Sequence, residues 1–456
     1  MLTLRNYQQE SVDKIYQSAA KGNKSIMVQS PPRTGKTVIM AEIARRATAK
    51  GNRILFMVHR KEIVDQVKTT FIKQEVNMNL AQIGMVQTFT RRVERLKKPS
   101  IIFVDEAHHV LAKSYTKIIN AFPSALKLLF TATPYRLSGQ GFEEVVDDMI
   151  VGKPISWLIQ NNFLAPVDYY APSQIDSMQL KVKRNGEFDD KSIEEAMKPK
   201  IYGNAVKHYQ KLANNKQAIA YTYNIASAER LAAEFNANGI SAKAVSSHTD
   251  KKERDQIIAQ YKNGDIQIVT NNSLFTEGLD LPNVDCVIML RPTQSLSLYL
   301  QFAMRSMNPR KNKRAIIIDH VGNVERFGLP TMDREWSLKG GDSKSSNEKR
   351  SEIKSVTVCS TCFATFYRKS DQCPFCGAEL IEEKKIEVVD DAELKKVTER
   401  RLEMVHKVID DELSFNVANK DRSELRNMEE VKAYGKLHNY KPQWAYFFGK
   451  QKGFIK

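Results

Sequence analysis

SIMVQSPPRTGKTVIMAEIARRATAK (25–50) sets an apolar run, a short loop and an amphipathic stretch end to end. SIMVQ (25–29) has the look of a strand buried on both faces, and KTVIMAEIARRATAK (36–50) carries apolar residues at helical spacing. The loop between them, SPPRTGKT (30–37), fits the phosphate-binding pattern G-x-x-x-x-G-K-[ST], with Ser30 in place of the first Gly. Gly35 lets the chain curl so that backbone amides face phosphate oxygens, and the helix N-terminus adds a favourable dipole. Lys36 would hold the β- and γ-phosphates of ATP and Thr37 would ligate magnesium, with Ser30, Pro31, Pro32, Arg33 and Thr34 forming the loop. A glycine turn with an exposed lysine shows the same letters, but the strand before and the helix after favour phosphate.

The same alternation continues outward. RILFMV (53–58), IIFVDE (101–106) and LKLLFTAT (126–133) are further candidate strands, with KEIVDQVKTTFIK (61–73) a helix between them. Buried strands alternating with helices predict a parallel sheet covered on both faces. IIFVDEAH (101–108) then puts Asp105 and Glu106 at the carboxyl end of a strand, the edge where open α/β sheets bind ligands. Two adjacent acids have separate work there: Asp105 for the magnesium shell, Glu106 to polarise the attacking water.

A second alternation runs from about 166 to 328. Its strands are QAIAYTY (217–223), SAKAVSS (241–247), IQIVT (266–270), DCVIML (285–290) and RAIIIDH (314–320). Its helices are ASAERLAAEFNANG (226–239) and KKERDQIIAQYKNG (251–264), with Gly239 and Gly264 suited to their C-terminal caps. The expected fold is therefore α/β, two tandem parallel-sheet domains at 1–165 and 166–337. A Gly/Ser/charge-rich linker (338–355), a cysteine module (356–379) and a charged helical segment with a basic aromatic tail (380–456) follow.

Composition bounds the partners. The 456 residues carry 70 Lys and Arg against 53 Asp and Glu, a net +17, so a polyanion is the natural ligand. A merely soluble basic protein is the bland alternative. No stretch approaches the ~18 apolar residues of a membrane span. MLTLRNYQQE (1–10) lacks a signal peptide's apolar run, which makes a reducing cytosol the expected compartment. Cysteine pairs there are metal ligands before they are disulfides.

Over about 330 residues the chain resembles superfamily 2 helicases of the DEAH-box type. LRNYQQE (4–10) resembles the family's adenine-reading segment, which implies Gln8 with Arg5 and Tyr7 in support. VHRKEIVDQ (58–66) and MVQTFTR (85–91) resemble the grips on a strand's phosphates, implying contacts from Arg60, Gln66 and Thr88. TATP (131–134) resembles the segment that couples hydrolysis to strand movement. In the second half, AYTYN (220–224) and SSHTDKKER (246–254) sit where the family binds the strand, and the resemblance adds Thr270 and Thr276. NSLFTEGLDLP (272–282) resembles the next motif, in which Gly278 and Asp280 approach the nucleotide. LQFAMRSMNPR (300–310) aligns with the last motif, Q-x-x-G-R-x-x-R. Gln301 and Arg305 match it, while Met304 replaces the Gly and Asn308 the second Arg. Arg305 would then neutralise γ-phosphate charge, alone or with Arg310.

The resemblance implies two RecA-like domains with ATP in the cleft and single-stranded or branched DNA across their tops. RAIIIDHVGNVERFGLP (314–330), REWSL (334–338) and the cysteine module resemble phage-encoded replication helicases, which implies a bacterial host cytosol and replication proteins as partners of the C-terminal region.

Cys359, Cys362, Cys373 and Cys376 form C-x2-C-x10-C-x2-C, a set suited to tetrahedral structural zinc. A redox dithiol needs only one C-x-x-C near a βαβ unit. In YGKLHNYKPQWAYFFGKQKGFIK (434–456), Trp444 and its aromatic neighbours among lysines suit base stacking, or else pack a small helical core or protein interface. Three functions fit: an ATP-dependent DNA helicase, a duplex translocase on the same core, and an ATP-switched assembly factor. RNA stays open as the track, because such cores grip phosphates more than bases.

Overall fold

The computed structural model describes residues 2–59, 61–134, 141–171, 180–183, 186–197, 200–272, 281, 283–339, 356–358, 365–367, 370–372, 377–380, 422, 425, 427–438, 440 and 442–455. The chain divides into two compact units, Met1–Leu394 and Lys395–Lys456.

The first unit holds two six-stranded sheets. One comprises β1 (Ser25–Gln29), β2 (Ile54–Val58), β3 (Ala81–Met85), β4 (Ile101–Val104), β5 (Leu126–Thr131) and β6 (Asp148–Val151). Its spatial order is β3-β2-β4-β5-β1-β6, with every pairing parallel. Helices α1 (Asn6–Ala20), α2 (Lys36–Ala49) and α3 (Lys61–Lys73) cover one face; α4 (Val86–Arg91) and α5 (Lys113–Ala121) cover the other. The alternation of a strand makes this division. Ile26, Val28, Ile54, Phe56 and Phe103 pack under the first group, while Met27, Leu55, Met57, Ile102 and Val104 pack under the second.

The other sheet comprises β7 (Val167–Tyr170), β8 (Ala218–Thr222), β9 (Ala242–Ala244), β10 (Ile268–Asn271), β11 (Cys286–Leu290) and β12 (Ala315–Asp319), in the order β7-β12-β11-β8-β10-β9 and again parallel throughout. Around it lie α6 (Ile155–Gln160), α7 (Asp190–Ala196), α8 (Lys200–Ala213), α9 (Ile225–Ala237), α10 (Lys251–Asn263), α11 (Leu296–Ala303) and α12 (Asn323–Phe327). Local chemistry starts and stops these helices. The Asn224, Asp250 and Ser295 side chains accept from Ser227, Lys252 and Leu298 amides at the N-termini of α9, α10 and α11. Gly264 ends α10 at φ 92°, a conformation that costs a glycine nothing. Cys286 is a free, fully buried thiol of β11.

An apolar cluster joins the two halves. Tyr7, Ile155, Leu158 and Leu164 pack with Met304, Met307 and Ala315, and the Ala165 amide donates to the Met307 carbonyl at 2.9 Å. Met304, which stands where the family pattern has glycine, is fully buried in this joint.

Three strands were not legible in the sequence: β3, β6 and β7. All lie at sheet edges, where half-exposed residues leave no continuous apolar run. Beyond the second sheet, β13 (Val356–Val358) and β14 (Thr365–Tyr367) pair antiparallel, and Gln372 bridges Glu379 in the same sense. Most of the expected linker, the four paired cysteines and the charged segment through 413 lie outside the described residues. In the second unit, α13 (Met428–Leu437) and α14 (Pro442–Gln451) enclose a small core. No described helix is long and apolar enough to cross a membrane.

Met304→Ala should destabilise the full chain by about 2–5 kcal/mol through the cavity it leaves, whereas Met304→Leu should cost less than about 1.5 kcal/mol. Unfolding midpoints in denaturant would show the difference; equal midpoints for both variants would contradict the joint described here.

Candidate nucleotide site and strand-binding surface

β1 delivers the chain into the phosphate loop at the carboxyl edge of the first sheet. Arg33 and Gly35 both have positive φ, 68° and 81°, which turns the loop back on itself before α2 begins at Lys36. Gly35 is required twice over: its φ favours glycine, and a Cβ there would come within 2.5 Å of the Gln8 side-chain nitrogen. The loop is braced from α1. The Thr34 carbonyl accepts from the Tyr7 hydroxyl at 2.8 Å and from Gln8 Nε2 at 2.9 Å, while Gln8 Oε1 accepts from the Arg5 amide. Inside the loop, Ser30 and Thr34 hydroxyls meet at 2.7 Å, and Thr34 Oγ1 donates to the Pro31 carbonyl. Ser30, Pro31 and Thr34 are buried; Pro32, Arg33, Lys36 and Thr37 stay partly exposed, as ligand-facing groups must.

The acidic pair follows β4. Glu106 sits at φ 52° and ψ 53°, a left-handed conformation that a branched or long side chain adopts at a cost of about 1–3 kcal/mol. Its carboxylate lies 3.9 Å from Lys36 Nζ and 3.4 Å from His108 Nδ1. Burial alone would raise this carboxyl, but the Lys36 ammonium and the His108 and His109 imidazoles outweigh it and hold it well below the ordinary carboxylate range. Glu106 is therefore ionised at neutral pH. Asp105 accepts from the Glu106 amide at 3.0 Å and remains partly exposed beside Thr37's end of the sheet. The TATP segment closes the third side: Gln29 Nε2 donates to the Ala132 carbonyl, and Thr131 Oγ1 to the Thr133 carbonyl.

Arg305 arrives from the second sheet. It follows α11 in a short 3₁₀ turn (Met304–Ser306), is 8% exposed, and donates to the phenol of Tyr221 in β8. Tyr221 is fully buried, its ring stacked on Phe302 at 3.9 Å. Burial pushes its hydroxyl up to about 12, while the guanidiniums of Arg305 and of Arg33 pull it down. One phenol thus feels both the phosphate loop and the arginine of the opposite sheet. Gln301 is buried in the last turn of α11. Arg310 pairs instead with Asp285, at the start of β11, and is largely solvent-facing. Asn308 Nδ2 donates to the Leu281 carbonyl at 3.4 Å, so this residue holds a loop where the family pattern has a second arginine.

Sequence reasoning missed two groups. Phe163 and Trp157 stack at 5.8 Å beside Tyr7, with the Arg5 guanidinium 5.1 Å over Phe163. His59, His109 and His108 form a ring stack that links the exposed end of β2 to the acidic pair. Isolated aromatic and histidine letters gave no spacing signal for either.

On the expected strand-gripping surface, Thr88 is exposed on α4 and Gln66 partly exposed on α3. Thr270 is a correction. It is fully buried in β10, its hydroxyl donating to the Ala228 carbonyl at 2.7 Å, so it faces α9 and not a ligand. Trp444 is a second correction: it packs with Tyr434, Tyr440 and Phe448 in the core of the second unit. Arg60, Thr276, Gly278 and Asp280 lie outside the described residues.

Two parallel six-stranded sheets, the first carrying a phosphate loop and an acidic pair at its carboxyl edge, are the architecture of RecA-like helicase domains. Family comparison agrees with it. Residues 1–95 and 81–136 match the type III restriction enzyme res subunit family, and 201–309 match the helicase conserved C-terminal domain. The chain is 37% identical over 430 residues to the 51.5 kDa protein of a Lactococcus phage (isolate 7-9), covering 93% of this chain and 92% of that one. It belongs to the superfamily 2 helicases, ATP-hydrolysing motors, in the same family as that phage protein. Two solved structures share the fold. A fragment of an HsdR subunit of a type I restriction enzyme from Vibrio vulnificus YJ016 superposes with a TM-score of 0.57 at 20% identity, over 74% of this chain and 68% of that one. The ATP-dependent type ISP restriction-modification enzyme LlaBIII, bound to DNA, gives 0.51 at 16% identity, over 74% of this chain and 29% of the larger enzyme.

Lys36→Ala should weaken nucleotide binding, whereas Glu106→Gln should bind ATP and turn it over slowly. Arg305→Ala should cut turnover by roughly 10³-fold or more while sparing ATP binding. Asn308→Ala should cost on the order of tenfold at most, and Arg310→Ala less than Arg305→Ala. Single-turnover hydrolysis with saturating nucleic acid measures all three; an Arg310→Ala defect as deep as that of Arg305→Ala would relocate the arginine function.

Proposed function

We propose that this chain is a DNA helicase or translocase of the DEAH type, with a structural zinc module after the motor. The observation that carries the motor reading is the Lys36–Glu106 pair, 3.9 Å apart at the carboxyl edge of the first sheet, beside a phosphate loop braced by Tyr7 and Gln8. In this reading Lys36 draws toward the phosphates of ATP, which frees the ionised Glu106 to orient and deprotonate water. Thr37 and Asp105 would hold magnesium, whose charge stabilises the phosphate oxygens. Gln8, with Arg5, Phe163 and Trp157 beside it, would read the adenine. Gly278 and Asp280 belong to the same site, and Arg60, Gln66, Thr88 and Thr276 to the track.

DNA is favoured over RNA by the DNA-bound LlaBIII enzyme, and the same reading gives the chain a role in phage DNA replication with replication proteins as partners. The res subunit match favours a second reading, a duplex translocase that moves without separating strands. Strand displacement on forked, tailed and blunt duplexes, run beside displacement of a triplex-forming strand, separates the two. Turnover stimulated by RNA and not by DNA would sink both.

Zinc is supported by the backbone on either side of the cysteines. Cys359 and Cys362 fall between the antiparallel partners Val358 and Thr365, and Cys373 and Cys376 between Gln372 and Glu379. Gly377, at φ 74°, follows the second pair directly. Two antiparallel pairings that each bracket a C-x2-C in the sequence are suited to a four-thiolate zinc site. Protein purified without added zinc should carry about one equivalent by metal analysis. Cys373→Ser should lose it while keeping nucleotide binding; a metal-free chain with that module folded would refute the assignment.

A further inference from the structure

The second unit turns two of its aromatic rings outward. In α14, Trp444, Ala445 and Phe448 face the core made with Val431, Ala433 and Tyr434 of α13. The helices approach so closely that Gly435 lies against the Trp444 ring, and any Cβ at Gly449 would collide with the Met428 sulfur. This core is complete without further rings. Yet Tyr446 and Phe447, on the opposite face with Gln443 and Lys450, are 52% and 67% exposed. Their ring centroids are 5.7 Å apart, at 79° to one another. An amphipathic surface helix puts polar groups at such positions, so an outward aromatic pair points to a ligand.

Charge says which ligand. Between Val431 and Lys456 the sequence holds six lysines (432, 436, 441, 450, 452 and 456) and no aspartate or glutamate. Lys432, Lys450 and Lys452 are exposed. Apart from Glu429 and Glu430 in the first turn of α13, the charge on the two helices is basic, and rings offering π-faces amid cations are the chemistry of single-stranded nucleic-acid binding. We infer that Tyr446 and Phe447 form a stacking platform for single-stranded DNA, with the surrounding lysines on its phosphates. The inference deepens the DNA-motor reading, and it moves the contact from Trp444, which the core needs, to its two outward neighbours.

The test uses the full chain and a fluorescein-labelled oligothymidylate, followed by anisotropy without nucleotide and by DNA-stimulated ATP turnover. Tyr446→Ala/Phe447→Ala should weaken binding by about 10- to 100-fold, since stacking contributes about 1–3 kcal/mol per base. The DNA concentration for half-maximal turnover should rise accordingly, with turnover at saturating DNA unchanged. Phe447→Trp in place of Ala should restore binding, because any aromatic face serves. Unchanged resistance of α13 and α14 to limited proteolysis would certify the hairpin core in each variant. Equal affinity of the double variant and the unaltered chain, with stimulation intact, overturns the platform and leaves the motor standing. Absence of DNA stimulation in the unaltered chain overturns the motor reading, and the anisotropy ratio still decides the platform.

Discussion

Lys36 and Glu106 face each other across 3.9 Å at the carboxyl edge of a parallel sheet, and much of the chain exists to hold them there. The two residues come from β1 and β4, with β5 lying between. Parallel register sends all three strand ends to the same edge, so the phosphate loop, the acidic pair and the TATP segment converge. The pair also depends on two left-handed backbone positions, at Gly35 and Glu106. Glycine adopts its conformation freely, whereas glutamate is strained, and that strain is located at the residue whose carboxylate must be aimed.

A charge pair of this kind is useful only if its rearrangement is transmitted. Two features span the halves of the motor unit. Tyr221 is one, its phenol raised by burial and lowered by the charges of both Arg305 and Arg33. The cluster around Met304 is a mechanical one, joining Tyr7, which braces the phosphate loop, to the turn that carries Arg305. The departures from the family's last motif make sense in this light. Met304 fills space that a glycine would leave empty, and Asn308 ties the loop at Leu281 where an arginine would have added charge. Arg310 is committed to Asp285, whereas Arg305 is buried beside Tyr221.

Much was legible in the sequence alone. Central strands of a covered parallel sheet are buried on both faces, so β1, β2, β4, β5, β8, β10, β11 and β12 appear as continuous apolar runs, and the helices between them as periodic ones. The phosphate loop and acidic pair were legible for a related reason: their chemistry needs particular residues at fixed spacing directly after such runs. The edge strands β3, β6 and β7 were not, because their half-exposed residues leave no continuous apolar run; β9, the remaining edge, was legible in SAKAVSS (241–247).

Tertiary structure alone decided which way side chains face. Thr270 is a polar letter near a strand-binding motif, yet strand alternation in β10 turns it to α9. Trp444 and Phe447 stand three residues apart in one aromatic run, and the packing of α14 on α13 partly buries the first and exposes the second. The pairing of Tyr221 with Arg305 joins residues 84 positions apart in the sequence, brought together by folding. Periodicity along a chain reveals that a helix or strand has two faces; only the partner that covers one of them determines which face meets the ligand.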